Sequence, residues 1–348
     1  MATLSSTTAW TRKIIKLVSI GAGAILAVIL LYRIAVFVKQ QITPPPPPTV
    51  AFGKLPEIAF PQNQTDEILS YSIDTITGAL PVFPDRANVY KTIAAAPELL
   101  ALNNAIQKVS GAGFEGPYTQ TSETLYEWNT TDTSALPKKM VFNIFSSDFN
   151  VTSPFLSDSK VLSANNLPNE TAAVSTAQDF LSGMSSLPQD VDREKTQVSL
   201  FSIKNGMLAP STSLSNTQVI EVSFFQRDLN GLSVVYPDAK ASTMNVFVAG
   251  GDRGPQVVQA DFFHQNIASE SATYPIMTSQ EAFDRLKNGE IYIASYDGQN
   301  KKISINEVFL AYYLSGEAQE FVLPVVVFQG NNGFTAYTTA VKDDWIQK

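Results

Sequence analysis

Residues Leu17–Val38 are apolar except for Ser19 and Arg33. A run of about twenty such residues, at about 1.5 Å rise each, matches the hydrocarbon thickness of a bilayer. Arg12, Lys13 and Lys16 precede the run, and none of the first forty residues is acidic. That bias predicts a cytoplasmic N-terminus and an extracytoplasmic location for everything after Lys39. Arg33 stands one turn from the outer end, where its long stem can carry the guanidinium to the headgroups or to a partner helix. A cleaved signal peptide would have a shorter apolar core, with a small-x-small site behind it. Here Ala22 and Ala24 stand near the start, and Arg33-Ile34-Ala35-Val36-Phe37 closes the run. The pattern predicts an uncleaved signal anchor, and with no cysteine in the chain a lipoprotein anchor is excluded.

The rest of the chain carries 19 basic against 32 acidic residues, a net of −13. Such a surface repels nucleic acid, so no nucleic-acid partner is expected. The expected partners are the lipid bilayer and a membrane or envelope protein. The lack of cysteine also removes disulfides, thiolate metal sites and a Cys nucleophile. Stability outside the cell then rests on burial, for which 44% hydrophobic residues suffice. Asn63, Asn129, Asn150 and Asn169 open Asn-x-Ser/Thr sequons, at a frequency that chance explains in a chain this rich in Asn and Thr.

Pro44–Pro48 reads as a polyproline II spacer of roughly 15 Å. Beyond it one pattern occurs three times, a short amphipathic helix followed by strands. The first helix is predicted over Pro97–Val109, with Leu99, Leu102, Ile106 and Val109 as its stripe. Strands are predicted over Thr124–Asn129 and Met140–Phe149. The second helix is predicted over Thr171–Met184, followed by strands from Thr196 to Phe263. The third, over Ser279–Lys287, opens with the capping box Thr278-Ser279-Gln280-Glu281. Asn205-Gly206, Asn230-Gly231 and Asn332-Gly333 signal hairpins between adjacent strands. A strand is predicted over Phe321–Gln329, and its Val322–Phe328 stretch is apolar on both faces, as in a central strand.

These signals give an α+β fold: a single N-terminal transmembrane helix, then helix-plus-antiparallel-sheet units in an elongated ectodomain. The expected segments are a cytoplasmic tail (1–16), the anchor (17–38), a Pro-rich linker (39–61) and units at 62–165, 166–270 and 271–348.

Three segments carry a family resemblance: Ala282-Phe283-x-x-Leu286-x-x-Gly289, Ile305-x-x-Val308-x-Leu310-Ala311-Tyr312-Tyr313 and Leu323-Pro324-Val325-Val326-Val327-Phe328. Together they resemble the YycH/YycI family of single-span regulatory proteins with PepSY-like units. Phe225-Gln226-x-x-x-Asn230-Gly231 resembles the same pattern one repeat earlier, and the likeness covers roughly residues 171–348. Val325 and Val326 stand where the family has an aromatic residue. The resemblance implies no catalysis and no cofactor, but binding, inhibition or modulation of membrane neighbours.

Catalytic motifs are sparse. The only histidine, His264, ends a strand and reads as a surface residue, and no Gly-x-Ser-x-Gly elbow exists. Ser157-Asp158-Ser159-Lys160 matches Ser-x-x-Lys without its partner motifs and without opening a recognisable helix. Asp190-x-Asp192-x-Glu194 lacks the glycine and distal Glu of an EF-hand and reads as a solvated turn. Asp343-Asp344 reads as solvated charge. Gly250–Pro255 joins two strands, unlike a phosphate loop, which enters a helix. Phe224-Phe225 and Tyr312-Tyr313 are the candidate partner-binding residues, because adjacent strand side chains face opposite ways and one of each pair must leave the helix-covered face. The expected function is a non-enzymatic, membrane-anchored regulatory protein of the cell envelope. The alternatives are an envelope hydrolase using a carboxylate pair and a structural subunit of an envelope assembly.

Overall fold

The computed structural model describes residues 28–33, 47–63, 69–132, 135–298 and 300–347. Residues 28–33 are helical, and the rest of the expected anchor lies outside the described residues. Among the described residues no helix is long and apolar enough to cross a membrane. The chain divides into Met1–Pro48 and Thr49–Lys348, and the second unit holds both sheets.

Strands β1 (Ser70–Ile73) and β2 (Arg86–Thr92) precede helix α1 (Ala101–Ser110). Strands β3 (Tyr118–Gln120), β4 (Leu125–Asn129), β5 (Lys139–Asn143) and β6 (Phe149–Thr152) follow. Helices α2 (Ser159–Leu162) and α3 (Glu170–Gly183) lead to β7 (Val191–Lys204) and β8 (Met207–Pro210). Next come β9 (Val219–Gln226), β10 (Ser233–Val235), β11 (Met244–Ala249), β12 (Gln256–Phe262) and β13 (Ile267–Pro275). Helix α4 (Ser279–Asn288) is followed by β14 (Tyr292–Ser295), β15 (Lys302–Tyr313), β16 (Phe321–Gly330) and β17 (Thr335–Thr339).

The α+β class is as expected, and its strands form two sheets. A nine-stranded sheet runs β3-β4-β5-β6-β12-β11-β9-β7-β8 and is antiparallel throughout. An eight-stranded sheet is ordered β1-β15-β16-β17-β14, with β10 also on β15 and β2 joining β16 to β13. Only β1 and β10 lie parallel to their partner β15. Residues 62–165 therefore give β1 and β2 to one sheet and β3–β6 to the other.

Each sheet buries one face under helices. Ala105 and Val109 of α1 and Ala173, Ala177 and Leu181 of α3 share a core with Ile220, Val222 and Phe224 of β9. Ala282, Phe283 and Leu286 of α4 pack with Val308 and Leu310 of β15 and Val326 and Phe328 of β16. Side chains from Phe321 to Phe328 are all buried, so β16 is the central strand its composition predicts.

Local chemistry explains where prediction holds. The capping box at Thr278 is formed in both directions, and Gly289 ends α4 in the left-handed region at φ 77°. Asn205-Gly206, at φ 54° and 75°, closes the β7–β8 hairpin as a primed turn. Three expectations need correction. Helix α1 starts at Ala101, its first i→i−4 bond running from the Asn104 N–H to the Leu100 carbonyl (2.9 Å), so Leu99 lies outside it, and the buried stripe is Ala101, Ala105 and Val109. The single strand expected over Met140–Phe149 is two, because the Asn143 side chain accepts from the N–H groups of Phe145 and Ser146 (3.0 and 3.2 Å) and turns the chain. Asn230-Gly231 does form a tight turn between Leu229 and Leu232, but the strands on either side part company: β9 joins one sheet and β10 the other.

Candidate functional site

Residues 49–61, which the sequence assigns to the linker, lie on the eight-stranded sheet, on the face opposite α4. Thr49 and Val50 bond to Thr273, with Val50 held at φ 41°, a strained value for a β-branched residue. Leu55 is fully buried, donates to the Trp345 carbonyl and accepts from the Gln347 N–H (both 2.8 Å). Farther along, the Asn63 side-chain amide donates to the Ile291 carbonyl (3.1 Å) and accepts from the Ile293 N–H (2.7 Å), pinning the strap to the edge of β14.

Between these anchors residues 56–62 join no ladder, and the Phe60 N–H bonds back to the Ile58 carbonyl (3.0 Å) in a γ-turn at Ala59. Ile58 and Phe60 turn toward the sheet while Pro56, Glu57, Ala59 and Pro61 stay exposed. The Phe60 ring stacks on Tyr292 (5.3 Å, 10°) and meets Tyr313 edge-on (4.9 Å, 63°). Tyr337 lies 6.1 Å from both tyrosines, completing an aromatic floor. Burial pushes the phenols of Tyr292, Tyr313 and Tyr337 up, still further from ionisation than an exposed tyrosine. Tyr292 donates to the Pro237 carbonyl (2.7 Å), whereas the buried Tyr313 hydroxyl has no hydrogen-bond partner among the described residues.

The strap divides an open trough. A cavity of about 470 Å³ lies on the Tyr292 and Tyr337 side, bordered by Glu57, Glu290 and Arg285. A cavity of about 730 Å³ lies on the Tyr313 side, bordered by Glu57, Glu317 and Glu320.

A second cluster joins the two sheets. His264 is half-buried, not a surface residue: its Nε2 lies 2.9 Å from Asp190 Oδ1. The backbone N–H of His264 reaches Asp148, and Gln226 links Asp190 to the Gln265 carbonyl. Burial pushes both carboxyls up. Asp148 stays above its usual value, while Asp190 ends below it because the His264 and Gln226 hydrogen bonds outweigh burial. On the face of the nine-stranded sheet opposite α1 and α3, burial pushes the Glu221 carboxyl up to about 7, helped by the negative charges of Asp238 and Asp261.

Of the predicted site residues, Arg33 is exposed at the end of helical residues 28–33. Phe224 is fully buried under α1 and α3. Phe225, half-buried, packs against Tyr236 (5.7 Å). Tyr312 is fully buried, donates to the Asn88 carbonyl (3.1 Å) and lies edge-on to Tyr90 (5.5 Å). The fold thus brings Phe225 and Tyr312 into one cluster between the sheets, and sends Tyr313 to the floor of the trough. Sequence reasoning missed Phe60, Tyr292 and Tyr337. Its available signal was the alternation Ile58-Ala59-Phe60-Pro61 inside a supposed linker.

The remaining motifs resolve simply. Ser157 donates to the Pro154 carbonyl (3.2 Å) and Lys160 pairs with Asp252, so the Ser-x-x-Lys residues take separate partners. Contrary to expectation a helix does begin there, because the Asp158 side chain caps α2. Asp192 and Glu194 stand at a bulge in β7 instead of a turn, and no acid cluster suited to a metal ion occurs among the described residues. Asp343 is not simply solvated: it pairs with Arg285 at 2.6 Å. Gly250–Pro255 joins β11 and β12 as a hairpin connection, as expected.

No family model matches the chain, and no curated protein matches it. Among solved structures, an uncharacterized protein from Eubacterium rectale ATCC 33656 is similar at a TM-score of 0.36 and 13% identity, over 81% of this chain and 92% of that one. The Bacillus megaterium YpeB C-terminal domain is similar at a TM-score of 0.32 and 12% identity, over 72% of this chain and 95% of that one.

Proposed function

We propose that the protein is a non-enzymatic regulator of the cell envelope, anchored by residues 17–38 with its N-terminus in the cytoplasm. Thr49–Lys348 then stand outside and bind a membrane neighbour or an envelope complex. The observation that carries this reading is the aromatic trough. It is open on both sides of the strap, with aromatic rings at its floor and charged and polar side chains along its borders, as sites for protein segments are. The resemblance to YycH/YycI proteins agrees with it.

In-cell crosslinking of the full chain, with identification of the captured partners, tests the proposal, and a control replaces Leu17–Val38 with an unrelated span. A discrete membrane or envelope partner supports the regulatory reading. Its loss in the control assigns the contact to the span, where Arg33 lies, and its retention assigns it to the sheets. No partner in either form overturns the reading.

The near-neutral Glu221 carboxyl beside Asp261 and Asp238 favours a second reading, a carboxylate-pair hydrolase of envelope polymers. Hydrolysis of purified envelope polymer that disappears in Glu221→Gln would replace the first reading with the second.

A further inference from the structure

Residues 56–62 are held by very little backbone bonding. Among the described residues their one backbone hydrogen bond is internal, from the Phe60 N–H to the Ile58 carbonyl (3.0 Å). Leu55 and Asn63 are firmly paired on either side, so the middle of the strap stays in place through Ile58 and Phe60 alone. Beneath it the Tyr313 hydroxyl is buried without a partner, a cost normally relieved by some hydrogen-bonding group. Beside it lie two unfilled volumes, and the larger has Glu57, Glu317 and Glu320 exposed along its edge with no Lys or Arg among its lining residues.

We infer that the trough is a binding site for an extended peptide with an aromatic-proline core and basic flanks, in which Ile58-Ala59-Phe60-Pro61 is the chain's own placeholder. The placeholder defines the core: an aliphatic residue and an aromatic residue two positions apart face the tyrosines, and proline keeps the chain extended. The acidic edge defines the flanks, since Lys or Arg there meets an opposite charge. Covalent attachment gives the placeholder a high effective concentration, so an incoming peptide must outcompete it. This inference rests on the binding reading above and assigns a site and a partner chemistry to it.

The test is fluorescence anisotropy with a labelled peptide, Lys-Lys-Ile-Ala-Phe-Pro-Lys-Lys, titrated into the full-length chain in detergent. Phe60→Ala removes the placeholder ring and is expected to tighten binding by about tenfold over the unsubstituted chain. If Phe60→Ala does not fold, Ile58→Ala carries the same test with an expected tightening of about threefold. Changing the peptide's Phe to Ala abolishes binding. Reversing the exposed edge in Glu317→Lys with Glu320→Lys weakens it at low salt, and that difference shrinks at high salt. Equal affinity, or no binding, for the unsubstituted chain and the strap variants overturns the inference. So does binding that survives the peptide's Phe→Ala change. Peptide binding without any partner in the crosslinking experiment leaves the site standing and removes the regulatory reading. A captured partner without peptide binding does the reverse.

Discussion

The backbones of Gly111 and Gly183 touch where α1 and α3 end: a Cβ built on Gly111 would lie 2.1 Å from the Gly183 carbonyl oxygen. Neither position needs glycine for its own backbone angles, since Gly111 sits at φ −62°. The requirement comes from the neighbouring chain. Gly→Ala at an ordinary helical position gains up to about 1 kcal/mol in propensity. Here overpacking against a carbonyl costs about 1–3 kcal/mol and outweighs that gain. Gly111→Ala is therefore expected to lower stability by up to about 2 kcal/mol net, read as a lower urea midpoint. An unchanged or raised midpoint would show that the helix ends can separate freely.

Tyr312 and Tyr313 are adjacent in β15 and should respond oppositely to loss of the hydroxyl. Tyr312→Phe strands the hydrogen bond to the Asn88 carbonyl and should cost about 1 kcal/mol. Tyr313→Phe removes a buried hydroxyl with no partner and should leave stability unchanged or raise it by about 1 kcal/mol. Paired chemical denaturation of the two variants gives the sign directly.

Glu221 makes stability depend on pH. Its folded pKa near 7 lies above the ordinary 4.5, so the native state binds the proton more tightly than the unfolded chain does. Stability is full below about pH 4.5, falls as pH rises toward 7, and stays reduced above it. Glu221→Gln should therefore raise stability at pH 8 by on the order of 2 kcal/mol, after allowance for solvent screening, and change it little at pH 4. Thermal melts of both proteins at the two pH values measure the difference.

Asp190 works in the opposite direction. Burial raises its pKa, but the His264 and Gln226 hydrogen bonds pull it below the ordinary 3.8. Its contribution is present above that value and lost as pH falls through the folded pKa. Asp190→Asn should cost about 1 kcal/mol at pH 6, where the carboxylate is ionised, and progressively less as pH falls below the ordinary 3.8 and through the folded pKa. Denaturant midpoints across that range check the crossover.

Features that depend on neighbouring residues were legible in the amino-acid sequence: the α4 capping box and its Gly289 stop, the primed turn at Asn205-Gly206, and the two-faced burial of β16. Each is written within a few positions, because capping, turn geometry and strand periodicity are short-range effects. Other features depend on distant partners and came into view with the fold. Asn230-Gly231 signals a turn, yet pairing surfaces elsewhere send β9 and β10 to different sheets. His264 reads as a strand-end surface residue until Asp190, 74 positions away, arrives beside it. Residues 49–61 read as linker because their few apolar side chains form no helix or hairpin, and only the tyrosines of β14, β15 and β17 give Phe60 a place to lie. Burial is a property of assembled surfaces, so the candidate site emerged with the fold and not from the strap's own residues.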